Sequence, residues 1–208
     1  MNEKFLEAIK KLRQEEKKNF VQSVDFIVNL TELDLRKEPV TVFTSLPNNF
    51  KENKICAFFE AKSPLVDRTI GKQEIGSLDK KQIKSIAKEY DFFLASAPLM
   101  PSVAGTFGKI LGPLGKMPNP KIGAVLMKED SNMVKGTVDK FRKAISLKAK
   151  ELSLKTSIGR ENMSDEQLEA NMEAVYNAIL NALPRKKDNI KSVMVKLTMS
   201  KPVKMVIK

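Results

Sequence analysis

The sequence predicts a protein of mixed class and two domains: an α/β domain inserted into an α+β domain that both ends of the chain build together. Three observations lead there. Strand-like segments of period two stand at both ends of the chain. The centre instead holds wholly apolar runs of strand length, Ile55-Cys-Ala-Phe-Phe59 and Phe92-Phe-Leu-Ala95, alternating with helical segments; such runs mark parallel strands buried on both faces. Neither end alone has enough elements for a sound core, so the simplest solution packs the termini together around an insertion. The 208 residues, 42% of them hydrophobic, suffice for two modest cores. The expected boundaries put residues 1–52 and 144–208 in domain I and residues 53–143 in domain II.

Phe5, Ala8, Ile9 and Leu12 recur at helical spacing, and the charged run from Arg13 to Lys18 ends that helix. From Phe20 to Leu30 the period becomes two. Gln22, Val24, Phe26, Val28 and Leu30 share an inner face, while Val21, Ser23, Asp25, Ile27 and Asn29 share an outer one. A second strand, Val40 to Leu46, stops at the turn signal Pro47-Asn48-Asn49. In the centre, Ser77 is expected to cap a helix that turns Ile83, Ile86, Ala87 and Tyr90 inward. Further helices are expected near Leu99–Ile110 and Val134–Lys143. Strand character resumes at Ala144–Leu147 and Leu152–Ile158. Ser164-Asp-Glu-Gln167 then forms a capping box, with acids placed well against the helix dipole. The stripe Leu168, Met172, Val175, Tyr176, Ile179 and Leu183 reads as core, and Pro184 stops the helix. Strands at Ile190–Met199 and Val203–Ile207 complete the chain.

Thirty-seven Lys and Arg stand against 25 Asp and Glu, a net charge of +12 with a pI near 9.6. The excess favours a polyanionic partner, nucleic acid or an acidic membrane surface. With no His, the commonest general base and zinc ligand is missing. Cys56 is the single cysteine, so an internal disulfide is impossible, and its apolar neighbours suit a buried structural role. No signal peptide opens the sequence and no apolar run approaches ~18 residues, so a cytoplasmic protein without a membrane partner is expected.

The segment Pro184–Lys208 carries eight Lys and Arg against Asp188 alone. On its first strand, Ser192, Met194, Lys196 and Thr198 are expected to face one way and Val193, Val195, Leu197 and Met199 the other. One face can bury while its opposite offers hydroxyls and an ammonium group, suited to a sugar-phosphate backbone and its 2′-hydroxyls. An ordinary solvated strand face has the same pattern. The Gly- and Pro-rich segment Gly108–Gly123, with three Lys and no acid, could form an anion platform, yet it fits no nucleotide fingerprint. A Walker loop would need Gly where Ile110 stands, and Ser or Thr where Met117 stands. Ser77-Leu-Asp-Lys80 lacks the partner motifs of a serine hydrolase. Carboxylate pairs such as Glu15-Glu16 and Glu129-Asp130 sit in charged runs. No enzyme and no cofactor is expected.

Five stretches carry a resemblance: Asn19-Phe-Val-Gln-Ser-Val-Asp-Phe26, Tyr90-Asp-Phe-Phe-Leu-Ala95, Leu111-Gly-Pro-Leu-Gly-Lys-Met-Pro118, Met163-Ser-Asp-Glu-Gln167 and Val195-Lys-Leu-Thr-Met199. In that order, over nearly the whole chain, they resemble the ribosomal protein L-one family in its archaeal form. The resemblance implies a split domain I and an inserted, Rossmann-like domain II. It implies a structural protein at the mobile stalk of the large ribosomal subunit. Its partners would be ribosomal RNA, the exit-site tRNA whose release it assists, and its own mRNA, whose translation it represses. It would be a monomer when free and reside on the ribosome. The alternative is a free-standing RNA-binding translational regulator using the same surface. Carried over by position, the family's RNA surface falls on Phe20, Ser23, Asp25, Ser192, Thr198 and Met199; Lys196, from the strand-face reading, and Ser200, next to Met199, complete the expected RNA-binding set. Arg160, Glu161 and Asn162 lie in a further loop that the family places near RNA. Asp25 suits this setting because a carboxylate accepts hydrogen bonds from a 2′-hydroxyl or a base amine. The chain departs from the family pattern at Ser200, where Gly is usual, and at Val21 and Val24, where archaeal members often have Thr and Phe.

Overall fold

A computed structural model describes residues 2–14, 18–35, 40–149 and 151–205. The chain divides into two compact units, Met1–Lys51 with Ile145–Lys208, and Glu52–Ala144. The first unit opens with helix α1 (Asn2–Arg13) and strands β1 (Ser23–Leu30) and β2 (Thr41–Ser45). The second holds β3 (Ile55–Phe58), β4 (Arg68–Ile70), α2 (Lys72–Ser77), α3 (Lys80–Glu89), β5 (Phe92–Ser96), α4 (Met100–Leu114), β6 (Val125–Leu126) and α5 (Ser131–Arg142). The chain then returns to the first unit through β7 (Ala144–Lys148), β8 (Ser153–Arg160), α6 (Asp165–Ala182), β9 (Ile190–Leu197) and β10 (Val203–Met205). Both units mix helices and sheets, the α/β character expected.

In the first unit, four strands form a sheet in the order β10-β9-β1-β8, with β1 antiparallel to both β8 and β9. The alternation read from the sequence is obeyed: Val24, Phe26, Val28 and Leu30 are buried. They meet Phe5, Ala8, Ile9 and Leu12 of α1 and the Leu168, Met172, Val175, Tyr176 and Ile179 stripe of α6. Phe5 lies edge-on to both Phe26 and Tyr176, with ring centroids 6.5 and 6.1 Å away. Lys10, Lys11 and Arg13 in the last turn of α1 suit the negative end of its dipole. Helix α6 starts as its sequence promised: the Ser164 hydroxyl accepts from the Gln167 N–H, and the Gln167 side chain accepts from the Ser164 N–H. β2 and β7 form a separate two-stranded sheet, and β2 packs on α6.

The second unit is built on four parallel strands in the order β4-β3-β5-β6. Cys56, Phe58, Phe93 and Ala95 share a core with Ile75 of α2, Ile83, Ile86 and Ala87 of α3, and Val103, Phe107 and Leu111 of α4. Burial pushes the Cys56 thiol up to about 12, so it is an inert core group. On α5, Phe141 meets Phe92 edge-on at 5.4 Å.

The structure corrects several sequence expectations. Ser77 ends α2, its hydroxyl donating to the Glu74 carbonyl at 3.1 Å, and starts no helix; α3 is capped two residues later by Asp79, whose N–H donates to Gln82 Oε1 at 3.0 Å. The Gly108–Gly123 segment is no free anion platform. Helix α4 runs into it as far as Leu114 and ends on Gly115, whose φ of 73° favours a residue without Cβ. The Lys116 ammonium donates to the carbonyls of Ala87 and Tyr90 at 2.8 and 2.7 Å, satisfying the end of α3. The first strand starts at Ser23, not Phe20, and the penultimate one ends at Leu197, not Met199. Val206 and Ile207 of the last expected strand, Lys208 of the basic tail and the Glu15-Glu16 pair lie outside the described residues.

Candidate nucleic-acid interface

Helices α1 and α6 cover one face of the four-stranded sheet, and the alternate residues form its other face. There β1 places Ser23, Asp25, Ile27 and Asn29 beside Lys196, Met194 and Ser192 of β9, and beside Ser157, Lys155 and Ser153 of β8. The expected site residues fall into three groups along this face.

The first group gathers at the end where β1 begins and β8 and β9 finish. β1 is antiparallel to both neighbours, so the residues before Ser23 must meet those after Arg160 and after Leu197. The ladder continues past the strand ends: the Glu161 N–H donates to the Gln22 carbonyl at 2.9 Å, and the Ser23 N–H donates to Thr198 Oγ1 at 3.1 Å. Phe20, Ser23, Thr198, Met199, Ser200, Arg160, Glu161 and Asn162 are thus brought together. Phe20 and Met199 are 51% and 66% exposed, and Val21 next to Phe20 is 51% exposed, so large apolar groups reach solvent together at this end of the sheet. Met199 therefore does not follow Val193, Val195 and Leu197 inward, because the chain has left the strand before reaching it. Next to Phe20, a cleft of about 390 Å³ is lined by Lys18, Asn19, Val21, Glu161, Asn162 and Arg13. Arg13 pins one wall, donating to Asp165 and to the Met163 carbonyl.

The second group is the facing pair Asp25 and Lys196, with Ser157 on the other side of Asp25. Burial raises the Asp25 carboxyl above its ordinary value of 3.8, and Lys196 opposes that rise. Ser192 stands apart. Six residues from Thr198 along an extended strand, it lies about 20 Å from the loop end, and its hydroxyl accepts from Asn29 Nδ2 at 3.0 Å. Asn29 Oδ1 in turn accepts from the Ser153 hydroxyl at 2.9 Å. That row fastens three strands together.

Comparisons with known proteins give the family. The family model described as ribosomal protein L1p/L10e family matches residues 12–201. The chain belongs to that family. A Thermococcus kodakarensis protein named large ribosomal subunit protein uL1 is 38% identical over 97% of this chain and 96% of its own length. Its Pyrococcus horikoshii namesake is 36% identical over 97% and 95%, and that of Nanoarchaeum equitans 33% identical over 96% and 98%. This is a family of structural proteins, so the chain is not an enzyme. A doubly wound sheet binds ligands beyond the carboxyl ends of its strands, where the strand order reverses. β3 and β5 flank that point here, and the free N–H groups after β3, those of Glu60 and Ala61, are taken by the Glu129 carboxylate at 2.9 and 3.3 Å.

Against the family pattern, Ser200 proves well housed where Gly is usual. Its hydroxyl accepts from the Leu197 N–H at 2.9 Å and donates to the Lys201 carbonyl at 3.1 Å. The side chain thus closes the turn that presents Met199. Two contributors escaped the sequence reading. A Cβ at Gly159 would stand 2.4 Å from Leu168 Cδ2, so a larger residue there would require that side chain to shift; this close approach lies where β8 meets the Arg160 loop, and no sequence pattern announces it. Gln22 did carry a signal. It is the one polar residue on the inner face of the Gln22–Leu30 alternation, and it is 2% exposed.

Proposed function

We propose that this chain is a structural component of the large ribosomal subunit that holds ribosomal RNA on its first unit, the split α+β domain, with the parallel-sheet unit as an insertion. The observation that carries this is the convergence of three loops on one end of the sheet, exposing Phe20 and Met199 beside Arg160 and Asn162 in a chain of net charge +12. Apolar groups of that kind pack on bases and riboses, an exposed guanidinium engages phosphate, and a carboxamide reads base edges. Asp25 and Lys196 extend the surface along the sheet, Asp25 as acceptor for a 2′-hydroxyl or base amine and Lys196 as donor to phosphate. Ser192 belongs to its far margin.

The finer roles rest on the family resemblance and form part of the same proposal: a place on the mobile stalk, contact with exit-site tRNA as it leaves, repression of the chain's own mRNA, a monomeric free state and residence on cytoplasmic ribosomes. The test is binding to transcribed large-subunit ribosomal RNA over a series of salt concentrations, with an unrelated RNA of equal length as competitor. Affinity should fall linearly on a log-log plot, as counterion release requires, while preference for ribosomal RNA persists at physiological salt. Loss of that preference would leave only nonspecific charge and sink the reading. Cosedimentation with large subunits separates a ribosomal component from a free-standing regulator.

A further inference from the structure

The two loops that present Met199 and Glu161 leave the sheet on opposite sides of β1, and past the strand ends side chains join the backbone in setting their spacing. Gln22 sits between them. Its side-chain oxygen accepts from the Met199 N–H at 3.0 Å. Its side-chain nitrogen lies 3.5 Å from Glu161 Oε2, and its backbone N–H 3.3 Å from the same oxygen. Its carbonyl accepts from the Glu161 N–H at 2.9 Å. One nearly inaccessible residue therefore holds a backbone amide of one loop and both the backbone and the carboxylate of the other. A buried carboxamide has strong reason to keep these partners, since leaving any of them unpaired away from water is costly.

We infer that Gln22 is a positioning residue for RNA binding: without touching RNA, its carboxamide sets the spacing between the Met199 turn and the Glu161–Asn162 loop. The inference rests on the reading that this end of the sheet binds RNA. It assigns Glu161 a role as the anchor of its own loop, with its carboxylate spent on Gln22. It also yields a charge rule: residues 22 and 161 tolerate one carboxylate between them, since two within hydrogen-bonding distance in a half-buried site repel.

The experiment compares Gln22→Met, Gln22→Glu and the exchange Gln22→Glu with Glu161→Gln, all in the full chain. Folding is followed by circular dichroism, and affinity is measured for transcribed large-subunit ribosomal RNA against an unrelated RNA of equal length. Gln22→Met should keep the fold and weaken ribosomal RNA binding about 5- to 50-fold, the range expected for losing buried hydrogen bonds. Gln22→Glu should bind worse still. The exchange keeps an acceptor for the Met199 N–H, which Gln22→Met lacks, and returns the pair to the single carboxylate that Gln22→Glu exceeds, so it should recover most of the affinity. Adding Met199→Ala should cost less in the Gln22→Met background than in the natural one, because coupled residues are not additive. Wild-type affinity in a folded Gln22→Met chain, or a folded exchange that recovers nothing, would overturn the inference; should Gln22→Met fail to fold, the exchange decides alone. If the unaltered chain itself shows no preference for ribosomal RNA, the functional reading falls, and this inference with it.

Discussion

Thr198 and Met199 are neighbours with different tasks. The Thr198 hydroxyl accepts from the Ser23 N–H and lies 3.4 Å from the Ser23 carbonyl, so it extends the β1–β9 pairing one step and aims the turn. Met199 is the group left facing outward. Thr198→Ala and Met199→Ala should each weaken RNA binding by ~1–3 kcal/mol, the first by loosening the turn and the second by removing the contact. Lys204, on the edge strand β10, should behave as a peripheral phosphate contact, and its loss should lower the salt slope by about one counterion. Equal losses in a filter-binding assay at all three positions would count against a localised site. Asp25 provides a test in pH. Its carboxyl is raised above 3.8 because burial disfavours the charge. The folded state therefore holds its proton to higher pH than the unfolded state, and stability falls as pH climbs from 3.8 through the raised value. Asp25→Asn should raise the urea midpoint at neutral pH and lose that advantage below pH 3.8. An advantage unchanged by pH would refute the cause.

At the scale of elements, α6 was the most legible part of the chain and still concealed a functional residue of the fold. Its capping box, apolar stripe and stopping Pro184 were all visible, because a helix of 18 residues repeats its pattern many times. Asn171 lies within that stripe, fully buried. Its side-chain nitrogen donates to the Asn48 and Ile158 carbonyls, both at 2.8 Å, and its oxygen accepts from the Asn48 N–H at 2.9 Å. It joins the turn after β2, strand β8 and α6 at one point, and no periodicity records such a bond. Asn171→Leu should lower unfolding free energy by ~1–3 kcal/mol, since it strands one buried and two part-buried backbone groups; a urea midpoint within error of wild type would disprove the clamp. β4 and β6 went unread for a different reason: strands of three and two residues are too short to alternate. Ser77 misled because a good capping residue announces a helix start only where the backbone turns helical after it.

For the whole molecule, the division into two compact units is a statement about where the chain makes its contacts. Asn53 Nδ2 donates to the carbonyls of Phe141 and Ala144 at 3.1 and 2.7 Å, so the outgoing and returning chains run side by side. β2 and β7, which lead out of and back into the first unit, pair in one small sheet. Residues 1–51 joined to 145–208 by a short Gly-Ser linker should therefore fold, as the linker spans neighbouring chain ends and closure entropy grows slowly with length. That joined chain should keep most of the affinity for ribosomal RNA, since every candidate RNA-binding residue lies in it. The second unit alone should fold and bind this RNA weakly. Circular dichroism and RNA affinity of both pieces give the answer. An unfolded joined chain, or a second unit that binds as tightly as the intact protein, would be incompatible with RNA recognition by the first unit.

The sequence by itself determined which side chains would be buried wherever a pattern repeats. The inner row from Val24 to Leu30, the α6 stripe and the apolar runs of β3 and β5, except the half-buried Phe92, went to the core. Periodicity is a local property, and burial of an amphipathic segment follows from it without knowledge of the partner. Family motifs likewise lay in plain view along the chain. Only the tertiary structure decided what the ends of those segments do. It turned Met199 outward, put Ser200 to work inside its own turn, took Lys116 to the end of α3, and set Gln22 between loops 139 and 177 residues away in sequence. The Lys116 and Gln22 outcomes depend on hydrogen bonds to distant backbone groups, whose identity is fixed by how the elements pack and not by neighbouring residues; the Ser200 outcome depends on where its strand ends.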